Sequence, residues 1–195
     1  MDSSYLSIPT HAETERLILR SYQSGDGLWY YEMSQLNRSH LMAYESGNAV
    51  MRINSVEDAE QIIREYEHAW EKRIAFFLAA FRKDTQEFVA QLYIGAVNWE
   101  LPEFELGYFS DRKQEGQGYV TEAAREALRL IFEHLGAHRV SLECDDTNLR
   151  SARVAERCGF VREGHIRENK KHPDDSLSGT LHYGILRREF QKNIP

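Results

Sequence analysis

Cysteine is nearly absent from this 195-residue chain: Cys144 and Cys158 are the only two. They form no C-x-x-C pair, which argues against a zinc site. Each is expected as a buried, reduced thiol, as a reducing compartment allows. A surplus of positive charge is also missing. The net charge of −7 argues against general nucleic-acid binding, which relies on Lys and Arg against phosphates. It leaves room for basic partners, amines and cationic protein tails among them. No window is apolar enough for a membrane span. The start, Met1-Asp-Ser-Ser-Tyr, lacks the charged and apolar parts of a signal peptide. A cytoplasmic protein with no membrane partner is the expectation, as a monomer or homodimer. No repeat, low-complexity tract or linker divides the chain, so one domain over 1–195 is expected, with a loose lead-in at 1–12.

Three ligand motifs are missing as well. Gly116-Gln-Gly118 lacks the third glycine of a dinucleotide fingerprint, since Thr121 stands there. No G-K-[ST] follows a glycine run, which excludes a P-loop. His134, His138, His165, His172 and His182 show no ligand spacing such as H-E-x-x-H, so they are read as mostly surface residues and no metal is expected.

What is present centres on residues 103–124. Phe104, Leu106 and Tyr108 alternate with Glu105, Gly107 and Phe109, the period of a half-buried strand. Gly116 and Gly118 then permit a turn with φ > 0. A helix follows from about Thr121 to Leu135, with Ala124, Leu128, Ile131 and Leu135 on one face and Gly136 as its stop. The first turn of such a helix has unpaired amides and the positive end of the macrodipole, which suits a phosphate.

Around this centre the pattern gives a strand at Thr14–Arg20, an aromatic-rich helix at Ser24–Ser34, and loop with a short helix at 35–54. Ser55 caps a helix that ends near Arg73. Strands at Ala75–Phe81 and Phe88–Trp99 lead by short turns into the 103–109 strand, an antiparallel meander. The strand at Arg139–Cys144 completes a β-α-β unit, so it should run parallel to 103–109. Asn148 caps a helix at Leu149–Cys158. Strands at Phe160–Ile166 and Thr180–Leu186 flank a polar loop at 172–179, and a charged tail follows.

Lys113-Gln-Glu-Gly-Gln-Gly118 resembles the Q/R-x-x-G-x-G/A acyl-CoA diphosphate loop of the GNAT superfamily of N-acetyltransferases. Gly118-Tyr-Val-Thr-Glu-Ala123 looks like the "GY-x-TEA" form of its Rim branch, the ribosomal-protein N-terminal acetyltransferases. Thr14-Glu-Arg-Leu-Ile-Leu-Arg20 is similar to the usual opening of that branch. Asn148 to Phe160, then Arg162-Glu-Gly164, resembles the second block of the superfamily. Lys113 departs from the usual Arg or Gln, which touches a side-chain role and not the backbone cradle.

The resemblance implies a mixed α/β fold, the GNAT fold. Its central mixed sheet has about seven strands, an antiparallel meander, a splayed parallel central pair and flanking helices. It implies acetyl-CoA as cosubstrate. The diphosphate would lie on the backbone of Gln114, Glu115, Gly116, Gln117, Gly118 and Tyr119. The pantetheine arm would pair with the strand edge at Tyr108, Phe109 and Ser110, and the Phe109 amide would face the oxyanion. Many members protonate the departing thiolate with a tyrosine where this chain has Ala155. The Rim branch has a serine where this chain has Ser151, whose other reading is a helix residue bonding its own backbone. Asn148 reads both as a cap and as a contact to the pantetheine or the acid. Glu105 is the first candidate for the base, with a solvated or ion-paired strand residue as its other reading; Glu100 and Glu143 are weaker candidates. The acceptor is an amine, either a basic protein or peptide N-terminus or a small amine such as a polyamine, aminoglycoside or amino acid. A third reading is a non-catalytic acyl-CoA-binding module. Family acceptor sites lie near 35–54, where an aromatic, irregular stretch either lines a pocket or covers the core.

Overall fold

Ser55 sets the first strong helix in the way its neighbours dictate. Its hydroxyl accepts the Asp58 amide, and the Asp58 carboxylate accepts the Ser55 amide, a full capping box. Such a cap contributes about 1 kcal/mol. Ala59, Ile62, Ile63 and Tyr66 then fall on one buried face.

The computed structural model describes residues 6–172 and 174–192. The strands are β1 (His11–Glu13), β2 (Leu17–Ser21), β3 (Ala75–Arg82), β4 (Phe88–Asn98), β5 (Glu103–Ser110), β6 (Arg139–Asp145), β7 (Val161–Lys171) and β8 (Leu177–Leu186). The helices are α1 (Gly27–Leu41), α2 (Val56–Glu71), α3 (Tyr119–His134), α4 (Leu149–Arg157) and α5 (Arg187–Lys192). The sheet has eight strands in the order β1-β2-β3-β4-β5-β6-β8-β7, with β5 and β6 parallel. The strand beyond the seven expected is β1, at the end of the stretch read as a loose lead-in. It pairs antiparallel with β2, His11 opposite Arg20.

Two compact units divide the chain, and both are discontinuous. One comprises Pro9–Tyr93 and Tyr108–Ala123; the other comprises Met1–Ile8, Ile94–Gly107 and Ala124–Pro195. In the first, Tyr22, Tyr30 and Tyr66 surround the buried Gln91. The Tyr22 hydroxyl donates to Gln91 Oε1 at 2.7 Å, Tyr30 donates to the same oxygen at 3.2 Å, and the Tyr30 and Tyr66 hydroxyls are 2.9 Å apart. Helix α1 runs on to Leu41, past the expected end at Ser34. Residues 35–41 lack a clean apolar period, and a tertiary contact supplies what propensity does not. Buried Asn37 donates to Asp111 Oδ2 at 2.8 Å and accepts the Arg112 amide at 3.0 Å.

In the second unit, Ala124, Leu128, Ile131 and Leu135 are fully buried, as the helical period requires. Gly136 ends the helix with φ +68°. Strands β7 and β8 are longer than expected; β8 takes up the last three residues of the polar loop, and the His172 N–H donates to Ser176 O at 2.9 Å. The charged tail forms α5, held by the Arg187 guanidinium donating to the Phe132 and Ala137 carbonyls at 2.6 and 2.8 Å. Both cysteines are buried and neither is in a disulfide.

Candidate active site

The loop between β5 and α3 is built on backbone geometry. Asp111 starts a 3-10 turn at Arg112–Gln114 and accepts the Lys113 amide at 2.7 Å. The Gln114 amide donates to Asp111 O at 3.0 Å, so it is spent inside the turn. The Gln114 side chain is buried, donating to Glu87 and accepting from Gln117, each at 3.3 Å. Gly116 and Gly118 follow with φ +76° and +80°. A Cβ on Gly116 would meet nothing within 4 Å, and one on Gly118 only the Arg16 guanidinium at 3.6 Å. The glycines therefore serve the positive φ and an open approach, not a crowded interior. The Glu122 amide donates to Gly118 O at 3.1 Å, which opens α3 at Tyr119, two residues before the expected start. As a rule the first amides of an α-helix have no acceptor within the helix. Lys113 and Gln117 are exposed, and half-buried Glu115 pairs with His40 at 3.1 Å.

A lock not read from the sequence holds this loop. One oxygen of Glu122 accepts the Thr14 hydroxyl at 2.5 Å and the Arg16 amide at 2.9 Å; the other accepts Arg16 Nε at 2.6 Å. The same guanidinium donates to Gln117 O at 3.1 Å and lies 4.5 Å from the Tyr119 ring centre. Burial works to raise the Glu122 pKa. The hydrogen bonds from Thr14 and from Arg16 overcome it and hold the carboxyl below its ordinary value. The threonine and arginine of "TER" thus clasp the glutamate of "TEA". Neither segment signals this alone; their joint presence was the available clue.

Strand β5 departs from the expected alternation. Phe104 and Leu106 are buried as expected, but the phase slips at Gly107–Tyr108. Phe109 is then the buried residue, in the core with Tyr22 and Tyr30, while Tyr108 and Ser110 are half-buried. The Phe109 ring is therefore a packing group, and only its backbone is left for a ligand.

In the unit containing β6, the parallel ladder pairs Glu103 with Arg139, Phe104 with Val140 and Glu105 with Ser141. It ends there, although β5 runs to Ser110 and β6 to Asp145. Alternation puts Ser141 and Glu143 on one face of β6 and Leu142 and Cys144 on the other. Glu105 is half-buried on the Glu143 side. Burial first, and the Glu143 charge second, raise its pKa above the ordinary glutamate value. Glu143 pairs with His182 Nδ1 at 3.0 Å across β6 and β8. His182 Nε2 is buried with no hydrogen-bond partner among the described residues. His182, one of five histidines expected to be mostly at the surface, is half-buried, and three strands bring Glu105, Glu143 and His182 together.

The opposite face of β6 carries the other predicted residues. Asn148 caps α4, its side chain accepting the Ser151 amide at 3.1 Å. The Ser151 side chain hydrogen-bonds Cys144, whose thiol pKa is nevertheless raised, chiefly by burial. Ala155 is buried, and its methyl side chain supplies no acid at that position. At the end of β6, Asp145 accepts the Ser178 hydroxyl at 2.5 Å, and His172 Nε2 lies 2.7 Å from that hydroxyl, tying the β7–β8 turn to β6. Glu100, the other weak base candidate, is exposed in the turn after β4. Among the described residues no three His, Cys, Asp or Glu are grouped to hold a metal, and no helix is long and apolar enough to cross a membrane.

A glycine loop with positive φ, a helix starting on it and a parallel pair registered over three residues define a mixed α/β protein. The chain belongs to the GNAT acetyltransferase family: the model of the acetyltransferase (GNAT) domain matches residues 16–161. That span begins at Arg16, the residue clasping Glu122. "Probable N-acetyltransferase YjcK" of Bacillus subtilis is 30% identical over 118 residues, 60% of this chain and 65% of its own. The chain thus spans just under two thirds of that relative. The [ribosomal protein uS5]-alanine N-acetyltransferase of Escherichia coli is 24% identical over 167 residues, 80% of each chain. The solved structure of RimL, the ribosomal L7/L12 α-N-protein acetyltransferase, in complex with coenzyme A has a TM-score of 0.79 at 18% identity, covering 92% of this chain and 97% of its own. It shows likeness of fold.

Proposed function

We propose that this chain transfers the acetyl group of acetyl-CoA directly to a primary amine, foremost the α-amine of a protein or peptide. The observation that carries the reading is the loop of Gly116 and Gly118, with positive φ at both glycines and α3 opening on it. Backbone amides aimed by such a turn suit the diphosphate of an acyl-CoA. The coenzyme A held by RimL and the ribosomal-protein acceptors named for the relatives favour this substrate pair. The net charge of −7 suits a cationic acceptor. We place the reaction in the cytoplasm, where two buried, reduced thiols are at home.

The cradle amides from Gly116 to Tyr119 hold the diphosphate. The edge of β5 from Tyr108 to Ser110 pairs with the pantetheine amides. The acceptor amine must be neutral to attack, and an α-amine with a pKa of about 8 is partly neutral at pH 7. Glu105, more basic than a solvated carboxylate, takes the proton directly or through one water. The amine nitrogen bonds to the thioester carbon, and the Phe109 amide stabilises the oxyanion. The C–S bond then breaks; the Ser151 hydroxyl donates a hydrogen bond to the departing thiolate, which is protonated through water by the proton that Glu105 took from the amine. Asn148 positions Ser151 by fixing the first turn of α4.

Release of free thiol from acetyl-CoA tests the reading, with a pool of peptides bearing free N-termini set against a pool of small amines. Turnover on peptides, with acetate found on the α-nitrogen by mass spectrometry, is the expected result. Turnover on small amines alone would assign the other acceptor class. Coenzyme A binding with no turnover on either pool would leave only a binding module.

A further inference from the structure

A cavity of about 410 Å³ lies within the unit of Pro9–Tyr93 and Tyr108–Ala123, and none of the cradle residues lines it. Its volume falls in the range of small-ligand sites. The last two turns of α2 form one wall. There Tyr66 and Trp70 make one i, i+4 row and Glu67 and Glu71 make the next. Tyr22 and Phe77 add two more rings. Thr10, Ser21 and Gln23 complete the lining, so no basic side chain belongs to it.

The ring wall is rigid. Tyr66 stacks on Phe77 with centroids 3.7 Å apart, and Tyr22 meets Tyr66 edge-on at 5.3 Å. Hydroxyl bonds to Gln91 and Tyr30 fix the buried ends of Tyr22 and Tyr66. A core needs no opening of this size beside four aromatic rings and two carboxylates. The Glu67 side chain accepts the Ser24 amide at 3.1 Å, and Glu71 is exposed. The C-terminal end of α2 adds the negative pole of its macrodipole at the same place.

Ring faces, two carboxylates and a helix C-terminus all favour positive charge. We infer that this cavity binds an organic cation, a guanidinium or alkylammonium head on a short apolar stem. The stem lies on Trp70 and Phe77, and the head reaches Glu67 and Glu71. The same chemistry is offered by a free amine or by an Arg or Lys side chain of a peptide. The site is separate from the acetyl-transfer reading and does not depend on it.

Calorimetric titration without acetyl-CoA tests it on the full chain. The probes are agmatine, an N- and C-blocked Arg peptide, and N-butylurea as a neutral shape match. One cation per chain is expected, weakened about tenfold or more by Glu67→Gln with Glu71→Gln. Trp70→Leu is expected to weaken it too. Agmatine binding would mark the free cation as the ligand; binding of the peptide alone would mark a protein side chain. Coenzyme A affinity should stay unchanged in the carboxylate variant, which serves as the folding control. The inference is overturned if neither cation binds at millimolar concentration, if N-butylurea binds as well as agmatine, or if the carboxylate variant binds like wild type.

Discussion

The loop at 111–122 and the strand face carrying Glu105, Glu143 and His182 solve opposite problems. In the proposed reading the loop acts through its main chain, and side chains such as Asn37, Arg16 and Glu122 hold that backbone in place. On the strand face the proposed chemistry is side-chain, and the backbone ladder sets three residues from three strands beside one another. The first arrangement is suited to grip a ligand. The second is suited to move a proton. Substitutions in the two regions should therefore split affinity from turnover.

The largest effect is expected at Glu105. If Glu105 is the base, as proposed, Glu105→Gln should lower kcat about a hundredfold while leaving the coenzyme A affinity nearly unchanged. In wild type, activity should fall on the acid side at a pH above that of an ordinary carboxylate, because the Glu105 pKa is raised. The stability effect has the opposite sign. A raised folded-state pKa means that the ionised form is the strained one, so stability is lost as pH rises through that pKa. Glu105→Gln should thus be at least as stable as wild type near neutral pH. Steady-state kinetics across pH, paired with thermal melts, check both halves; a less stable variant with normal kcat would make Glu105 a structural residue.

Gly118 should show the reverse pattern. A β-branched residue at φ +80° is strained by about 2 kcal/mol. Gly118→Val is expected to weaken coenzyme A binding about thirtyfold, with kcat at saturating acetyl-CoA much less affected. Equal affinity in an equilibrium titration would remove the loop from the site.

A smaller effect is expected from the lock. Arg16 is partly exposed, so solvent screens its ion pair with Glu122, and the coupling from a double-mutant cycle of Arg16→Ala and Glu122→Gln should be about 1 kcal/mol. The Glu122 pKa is lowered on folding, so its contribution is fully present above the unfolded value and lost as pH falls through the folded one. Wild type should lose stability below about pH 4 more steeply than Glu122→Gln. Parallel acid melts would show that the clasp adds nothing.

The loop was legible in the sequence because its requirements are local. Two glycines two residues apart, a strand before and an amphipathic helix after are all short-range signals. Asn148 was legible as a cap for the same reason, and the structure shows it in that role. The strand face was half legible. Glu105 stood out within its strand, but His182 joins Glu143 only through the β6–β8 register, which no local spacing encodes. Arg16 meets Glu122 across 106 positions. The far half of α1 and the slip at Gly107–Tyr108 were missed because tertiary bonds, such as Asn37 to Asp111, overrode weak local preference.

A crystal structure with coenzyme A bound would test the cradle most directly. Diphosphate oxygens within about 2.7–3.2 Å of the amides between Gly116 and Tyr119 are the expected result. A diphosphate lodged elsewhere, with those amides facing solvent, would contradict the assignment of the loop and the transfer reading built on it.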